Sequence, residues 1–194
     1  MKVAIVKYNG GNVESVKNAL ARLNVESIVS DRAEILQAAD KVIFPGVGEA
    51  STAMNFLRER KLDEVIKTLT QPVLGICLGM QLLCDYSEEN KTNCLGILPY
   101  KVRLFEVENS KVPHMGWNMI SNLRGELFQN VSDNSYVYFV HSFYVESGSE
   151  TTAICDYGLK FSAAIQFKNF YAVQFHTEKS GKIGERILEN FLNI

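Results

Sequence analysis

Cys77 lies between two glycines in the segment Gly75-Ile76-Cys77-Leu78-Gly79. The apolar run Pro72-Val73-Leu74 before it is typical of a buried strand, and the run from Met80 to Cys84 after it is typical of the start of a helix. A strand that turns into a helix at a Gly-x-nucleophile-x-Gly pattern forms a nucleophile elbow, where the turn is too tight for side chains at the flanking positions. The amide groups and the dipole at the start of the helix favour a thiolate. This segment therefore predicts a nucleophilic cysteine.

A base for this nucleophile is present in the segment Gln174-Phe175-His176-Thr177-Glu178. His176 ends an apolar strand pattern, and Glu178 follows two residues later, so both side chains point the same way if the segment is extended. A carboxylate beside an imidazole fixes its tautomer and stabilises the imidazolium form. Cys77, His176 and Glu178 thus form a complete set of nucleophile, base and orienting group.

Each of these residues taken alone has a simpler interpretation. A single cysteine is most often a small core residue, and a single histidine at a strand end is most often a hydrogen-bonded structural residue. The elbow and the His–Glu pair are independent patterns, and their joint presence favours catalysis. His114 and His141 lack carboxylates at metal-ligand spacing, and none of the four cysteines forms a Cys-x-x-Cys pair, so we expect neither a metal nor a cofactor.

The composition is that of an ordinary globular protein, with 46% hydrophobic and 22% charged residues. The length of 194 residues favours a single domain over residues 1–194. A net charge of −2 gives no electrostatic reason to expect nucleic acid or an anionic membrane surface as a partner. The sequence shows neither a signal-peptide pattern nor an apolar stretch of about 18 residues, so we expect a cytoplasmic protein with reduced cysteines.

Strand and helix patterns alternate along the first half of the chain. Apolar residues at the matching periods predict strands at 3–6, 25–29, 41–44 and 72–77, and helices at 13–23, 35–39 and 50–68. This alternation predicts an α/β fold with a central, mostly parallel sheet flanked by helices. Because parallel sheets carry their sites at the carboxyl ends of the strands, the loops 7–12, 45–48 and 77–81 should line one edge.

The second half has mostly strand patterns, so the sheet should be mixed. Additional antiparallel strands connected by hairpins are predicted at 102–105, 136–140, 162–166 and 171–175. A last helix is predicted from about Ile183 to Leu192.

The loop Pro45-Gly46-Val47-Gly48 follows a strand and is rich in glycine. Its glycines allow a backbone N–H to turn towards a neighbouring site, where it could form an oxyanion hole together with the N–H of Leu78. A phosphate-binding loop is a competing interpretation, but the loop lacks Gly-Lys-Ser/Thr and the third glycine of the dinucleotide fingerprint. A plain turn stays open from these residues alone.

Together these motifs resemble those of the class I (triad) glutamine amidotransferases. The resemblance rests on the elbow with the following Gln81, the Pro-Gly-Val-Gly loop and the segment Phe175-His176-Thr177-Glu178, and it spans nearly the whole chain. Within the class, the chain is most similar to the family of glutaminase subunits of imidazole glycerol phosphate synthase, which act in histidine biosynthesis. The markers of that family are Tyr8-Asn9-Gly10-Gly11-Asn12, Pro113-His114-Met115-Gly116-Trp117 and Val140-His141-Ser142-Phe143-Tyr144.

The resemblance implies a role for each matching residue. Cys77 is expected to be the nucleophile, His176 the acid and base, and Glu178 the group that orients His176. The oxyanion hole is expected at Val47, Gly48 and Leu78, and the bound glutamine near Gln81, His141, Ser142 and Phe143. The chain departs from the commonest family pattern at Lys7, where aspartate is frequent, and at Thr177, where proline is frequent.

The implied activity is hydrolysis of glutamine to glutamate and ammonia through a cysteine thioester. Because 194 residues leave no second domain to use the ammonia, a partner is expected. The resemblance implies a cyclase subunit with a (β/α)₈-barrel fold, in a heterodimer that makes imidazole glycerol phosphate and an aminoimidazole carboxamide ribotide. The predicted interface is the face of Tyr8, Asn12 and Trp117, although a core position for Trp117 is equally open.

Other functions stay open at this point. The nearest rival is the glutaminase subunit of another amidotransferase, serving anthranilate or pyridoxal phosphate synthesis. A peptidase or γ-glutamyl hydrolase with a similar cysteine elbow would act without a partner. A regulatory subunit with a decayed site is disfavoured because all three triad residues are present.

Overall fold

Strands and helices alternate along the first half of the chain, as the sequence predicts. The computed structural model describes residues 1–106 and 111–194. The first elements are β1 (Val3–Val6), α1 (Val13–Arg22), β2 (Ser27–Ser30), α2 (Ala33–Gln37), β3 (Lys41–Gly46), α3 (Ala50–Glu59), α4 (Leu62–Lys67), β4 (Val73–Cys77) and α5 (Leu78–Leu83). The later elements are β5 (Cys84–Ser87), β6 (Thr92–Asn93), β7 (Leu98–Leu104), β8 (His114–Ser121), β9 (Ser135–His141), β10 (Phe143–Val145), β11 (Thr151–Asp156), β12 (Lys160–Phe167), β13 (Phe170–Val173) and α6 (Gly181–Asn193).

The helix predicted over residues 50–68 is wrong as a single element, because the chain breaks between α3 and α4. Lys61 has φ of 56°, in the left-handed region, and interrupts the helix there. At 100° per residue, Leu62 in a continuous helix would point about 140° away from Leu57. The break turns Leu62 back inwards, and both leucines are fully buried.

The described residues form a mixed sheet of nine strands, in the order β2-β1-β3-β4-β13-β12-β11-β8-β9. The strands from β2 to β13 pair in parallel, and those from β13 to β9 pair antiparallel. A smaller sheet has the order β10-β7-β5-β6. The predicted α/β class, with a mostly parallel first half and antiparallel additions, is confirmed.

Strands β5, β6, β8, β10 and β11 are not among the predicted strands, and Cys84, expected in the helix after the elbow, begins β5. β8 does alternate, but its apolar residues Met115, Trp117 and Met119 are exposed while its inward positions include His114, Gly116 and Asn118, so the pattern does not mark a buried apolar face. β3 also runs two residues further than predicted, because Pro45 and Gly46 continue its pairing with Ile76 and Cys77.

The central strands are rigid supports for the loops that follow them. Every residue of β1, β3 and β4 is buried, as expected for parallel strands covered on both faces. Each fully buried Val, Leu or Ile contributes about 1.5–3 kcal/mol to folding. These strands therefore fix where the loops at their carboxyl ends begin.

The three loops predicted to share one edge of the sheet do meet there. The N–H of Gly11 donates to the carbonyl of Val47 over 3.2 Å, which joins the first loop to the second. Gly46 stands beside Cys77 in the register of β3 and β4, which joins the second loop to the elbow.

Candidate active site

The elbow places Cys77 at the junction of β4 and α5 in a strained backbone conformation. Its φ and ψ are 54° and −109°, a region that non-glycine residues rarely adopt and that costs about 1–3 kcal/mol. A Cβ on Gly79 would lie 1.8 Å from the carbonyl oxygen of Phe44, and one on Gly75 would lie 2.8 Å from Leu83 Cδ1. Gly79 is therefore required by the close approach of α5 to the sheet, whereas a side chain at Gly75 would have to displace the end of Leu83 and would lie 3.1 Å from the backbone of Gly79.

His176 lies just beyond the end of β13, the strand that pairs with β4. Its N–H donates to the carbonyl of Tyr138 over 2.9 Å, and its own carbonyl accepts from Ser180 Oγ over 2.6 Å. Glu178 follows in a short 3₁₀ helix, Thr177–Lys179, so the segment is not extended as predicted. The turn still brings Glu178 Oε1 to 2.5 Å from His176 Nδ1, with both side chains fully buried.

The neighbours of His176 favour its charged imidazolium form. Burial of the ring opposes the charge, but Cys77 and Glu178 together raise the pKa of His176 well above its ordinary value. Nε2, the nitrogen not paired with Glu178, is buried and has no hydrogen-bond partner among the described residues. The structure thus brings Cys77, His176 and Glu178 together, with one nitrogen free to exchange a proton.

Asn12 lies beneath this set rather than on an open surface. Its side-chain amide donates to Glu178 Oε1 and lies 3.4 Å from His176 Nδ1. The residue is half-buried, at the start of α1. Its amide adds a second donor to the carboxylate that orients the imidazole, a contact that the sequence pattern did not indicate.

A cavity of about 180 Å³ opens beside the sulfur of Cys77. It is much smaller than the pockets that hold drug-sized ligands, and it suits a molecule of amino-acid size. All residues predicted at the oxyanion hole and around the substrate line it: Val47, Gly48, Leu78, Gln81, His141, Ser142 and Phe143.

The carbonyl of Val47 points towards the first loop, since it accepts the hydrogen bond from Gly11. In a trans peptide the following N–H points the opposite way. The N–H of Gly48 is therefore directed away from Gly11, and Gly48 itself has φ of 121°, a conformation that favours glycine.

Two further residues of the site were missed by the sequence analysis. Gln174 Nε2 lies 3.7 Å from Cys77 Sγ, and Gln174 Oε1 accepts from Gln81 Nε2 over 3.0 Å. Glu89 also lines the cavity and is the one charged side chain among its described lining residues. Gln174 is the first residue of the segment that supplied His176 and Glu178, whereas nothing in the sequence around Glu89 indicates that its turn reaches the cavity beside the elbow.

One carboxylate oxygen of Glu89 accepts a hydrogen bond, and the pKa of this carboxyl group is raised. Its Oε2 accepts from the N–H of Ala50 over 2.7 Å, at the start of α3. Burial is the main cause that raises the pKa of Glu89, and the nearby charge of Glu49 adds to it.

The predicted interface position of Tyr8 is wrong. Tyr8 is 6% exposed and packs on Phe44, with ring centroids 5.3 Å apart. Its hydroxyl donates to the carbonyl of Pro45 over 2.7 Å, and a Cβ on Gly46 would collide with it. Tyr8 therefore supports the glycine-rich loop from below and offers no surface to a partner.

Trp117 is not a core residue, which resolves the choice left open by the sequence. It is 56% exposed, on the outward face of β8 between Met115 and Met119. Tyr136 on β9 stands opposite Met119 in the register and is also exposed. These four side chains are called the apolar stripe below.

In the described part of the chain, no cluster of three or more His, Cys, Asp and Glu side chains could hold a metal ion. None of the described helices combines the length and apolar character needed to cross a membrane.

Comparisons with known proteins agree with this geometry. Residues 4–194 match the family model "Glutamine amidotransferase class-I". The chain is 57% identical over 196 residues to the imidazole glycerol phosphate synthase subunit HisH of Bacteroides thetaiotaomicron, with full coverage of both chains. It is 44% identical over 200 residues to the protein of that name from Vibrio parahaemolyticus, covering 100% of this chain and 98% of the relative.

The fold is also similar to solved structures of low sequence identity. A structure described as a glutamine amidotransferase has a TM-score of 0.76 at 19% identity, covering 98% of this chain and 97% of the other. A glutamine amidotransferase from Thermotoga maritima has a TM-score of 0.65 at 18% identity, covering 100% of this chain and 83% of the other.

Proposed function

The chain belongs to the class I glutamine amidotransferase family, and from this premise we propose that it is the glutaminase subunit of an imidazole glycerol phosphate synthase. The relatives that carry this name are 44–57% identical over essentially the full length of the chain, which favours this assignment over a subunit for anthranilate or pyridoxal phosphate synthesis. The observation that carries the activity is the meeting of Cys77, His176 and Glu178 beside a small cavity.

The reaction begins when the sulfur of Cys77 attacks the side-chain amide carbon of glutamine and its thiol proton is held by His176 Nε2. The carbonyl oxygen becomes an oxyanion, which backbone N–H groups around Gly48 and Leu78 stabilise. When the intermediate collapses, the carbon–nitrogen bond breaks, and His176 Nε2 supplies the proton with which ammonia leaves. The amide carbon then remains bound to sulfur as a thioester.

Water completes the cycle by hydrolysing the thioester. His176 takes a proton from the attacking water, the carbon–sulfur bond breaks, and glutamate leaves with the sulfur of Cys77 restored. Glu178 holds the ring through Nδ1 in both steps, so Nε2 stays directed at the reacting atoms.

Substrate recognition uses the charge at the cavity. Glutamine carries an α-ammonium group, and Glu89 is the charged group that lines the cavity. Its Oε2 is held by Ala50, so the carboxylate is fixed and Oε1 remains available for the ammonium. Gln81, Ser142 and Phe143 line the rest of the wall.

The ammonia is consumed by a partner, in this proposal a cyclase subunit that forms a heterodimer with the chain in the cytoplasm. The names of the relatives support membership of a larger synthase. The apolar stripe around Trp117 is the proposed contact surface, because an exposed apolar patch of this kind marks an interaction site. Asn12 has a half-buried side chain that hydrogen-bonds to Glu178, so in this proposal it supports the triad and does not contact the partner. We take residues 1–194 to act as one domain.

Loss of the nucleophile tests the proposed activity. Replacement Cys77→Ala should lower glutamine hydrolysis, measured with the cyclase subunit present, by about 10³-fold or more, as for nucleophiles of comparable sets. Cys155→Ala is the matched control, because Cys155 is a buried thiol on β11 whose pKa is raised by burial to about 12. Full activity in Cys77→Ala would show that the nucleophile has been assigned incorrectly.

A further inference from the structure

Two buried histidines outside the triad connect strand β8 to the wall of the active-site cavity. His114 Nδ1 lies 3.1 Å from His141 Nε2, and His141 Nδ1 lies 2.7 Å from the carbonyl oxygen of Phe143. At the other end, Asn118 Nδ2 lies 3.3 Å from His114 Nε2. The rings are only 2% and 6% exposed. A continuous chain of hydrogen bonds therefore runs from Asn118 through His114 and His141 to the carbonyl of Phe143.

The protons along this chain have one consistent arrangement. A carbonyl oxygen only accepts, so His141 must donate from Nδ1 to Phe143. Burial lowers the pKa of His141 to about 3 and that of His114 to about 4, so both rings are neutral near pH 7. A neutral His141 accepts at Nε2, and His114 must therefore donate from Nδ1.

The orientation of Asn118 agrees with this arrangement. Its oxygen accepts from the N–H of Met119 over 2.7 Å, and its nitrogen also donates to the carbonyl of Asp156 over 3.1 Å. The amide nitrogen is thus the atom that faces His114 Nε2, which is free to accept.

The series of hydrogen bonds ends on the carbonyl oxygen of Phe143, a residue that lines the cavity. The bond from His141 to Phe143 closes a turn around Ser142, and all three residues line the cavity. The same carbonyl accepts a second hydrogen bond, from Gln81 Nε2 over 3.0 Å. Phe143 is therefore held between a group on the elbow helix and a group on β9.

We propose that His114 is a positioning residue for glutamine binding, which acts through His141 to hold the Phe143 carbonyl and the cavity wall in place. His114 itself does not line the cavity, so its effect is indirect. The role rests on the proposed glutaminase function, because the wall matters only if glutamine occupies the cavity.

The surroundings of His114 allow its hydrogen bonds to be removed without removing its packing. The ring stacks on Tyr157, with centroids 3.9 Å apart and planes at 20°, and on Phe139, at 4.8 Å and 22°. A phenyl ring in His114→Phe keeps both contacts but cannot donate to His141. In His114→Asn, the amide nitrogen can take the place of Nδ1 and restore the donor.

Steady-state kinetics of glutamine hydrolysis, with the cyclase subunit present, test the role. We expect His114→Phe to raise KM about tenfold, because His141 Nε2 loses its buried donor, and to leave kcat within about twofold; the hydrogen bond from Asn118 is lost as well. His114→Asn should recover most of the affinity. Tyr157→Phe is the control, because it keeps the stacked ring and loses only a hydroxyl that donates to the carbonyl of Lys111.

Nitrogen NMR of the wild-type imidazoles tests the proton arrangement of the hydrogen bonds independently of any variant, while the split between KM and kcat separates positioning from a merely structural role. Both His114 and His141 should be neutral and protonated at Nδ1, and an Nε2–H tautomer at either ring contradicts the proposal even if His114→Phe fails to fold. An unchanged KM in folded His114→Phe, or a loss confined to kcat, also contradicts it. Wild-type protein that does not hydrolyse glutamine instead contradicts the proposed function, and this role with it.

Discussion

At the scale of single residues, the site contains buried polar atoms that are not hydrogen-bonded to other described residues. His176 Nε2 and Glu178 Oε2 are buried without hydrogen-bond partners among the described residues, although buried polar atoms are normally paired. The leaving nitrogen of a bound amide can pair with Nε2, the position from which His176 transfers its proton.

Glu89 gives a prediction that separates substrate binding from chemistry. Glu89→Gln should raise KM for glutamine about tenfold or more with little change in kcat, because the ammonium loses its charged partner while the amide oxygen can still accept from Ala50. Burial raises the pKa of Glu89, so the wild-type carboxyl is protonated at a higher pH than an exposed one. KM of the wild type should therefore rise on acidification, and this rise should be absent from Glu89→Gln.

Glu88→Gln is the matched control for this prediction. Glu88 carries the same charge, but its oxygens accept from Arg103 over 2.8 Å and from the N–H of Leu104, away from the cavity. Equal increases in KM for the two variants would mean that net charge, not ammonium binding at Glu89, sets the affinity.

At the scale of elements, the elbow depends on how closely α5 approaches β3. Gly79→Ala places a methyl group 1.8 Å from the carbonyl oxygen of Phe44, and neither backbone can yield without moving the nucleophile. We expect a loss of at least about 2 kcal/mol in unfolding free energy, measured by denaturant titration, and a fall in kcat larger than the loss of stability explains. A variant with wild-type stability and activity would show that the helix can move away freely.

The elements that carry the triad were predictable, because periodicity and glycine spacing are local properties. Strand β8 was not, since its inward positions carry His114, Gly116 and Asn118 while its apolar residues face outwards, the reverse of the usual half-buried strand. Glu89 and Gln174 reach the site through turns whose direction depends on distant packing. Tyr8 was expected at the partner interface together with Asn12 and Trp117, whereas its ring fills space left by Gly10 and Gly46.

At the scale of the whole molecule, β8 has two faces with different tasks. Its inward side holds His114 and Asn118, which begin the hydrogen-bonded chain to the cavity. Its outward side carries the apolar stripe, next to β9 at the edge of the large sheet. A partner seated on the stripe would therefore contact the same strand that supports the cavity wall.

This arrangement makes Trp117 the residue through which partner binding is best tested. Trp117→Ala should weaken the affinity for the purified cyclase subunit, measured by calorimetry, by about 30-fold, because a large aromatic side chain at the centre of an interface commonly contributes about 2 kcal/mol. Ile28→Ala is the control: Ile28 is 53% exposed on β2, at the opposite edge of the sheet, and its loss should leave the affinity unchanged. Equal affinities for wild type and Trp117→Ala would remove the apolar stripe as the docking surface, whereas a loss shared by both variants would point to a general effect of surface apolar area.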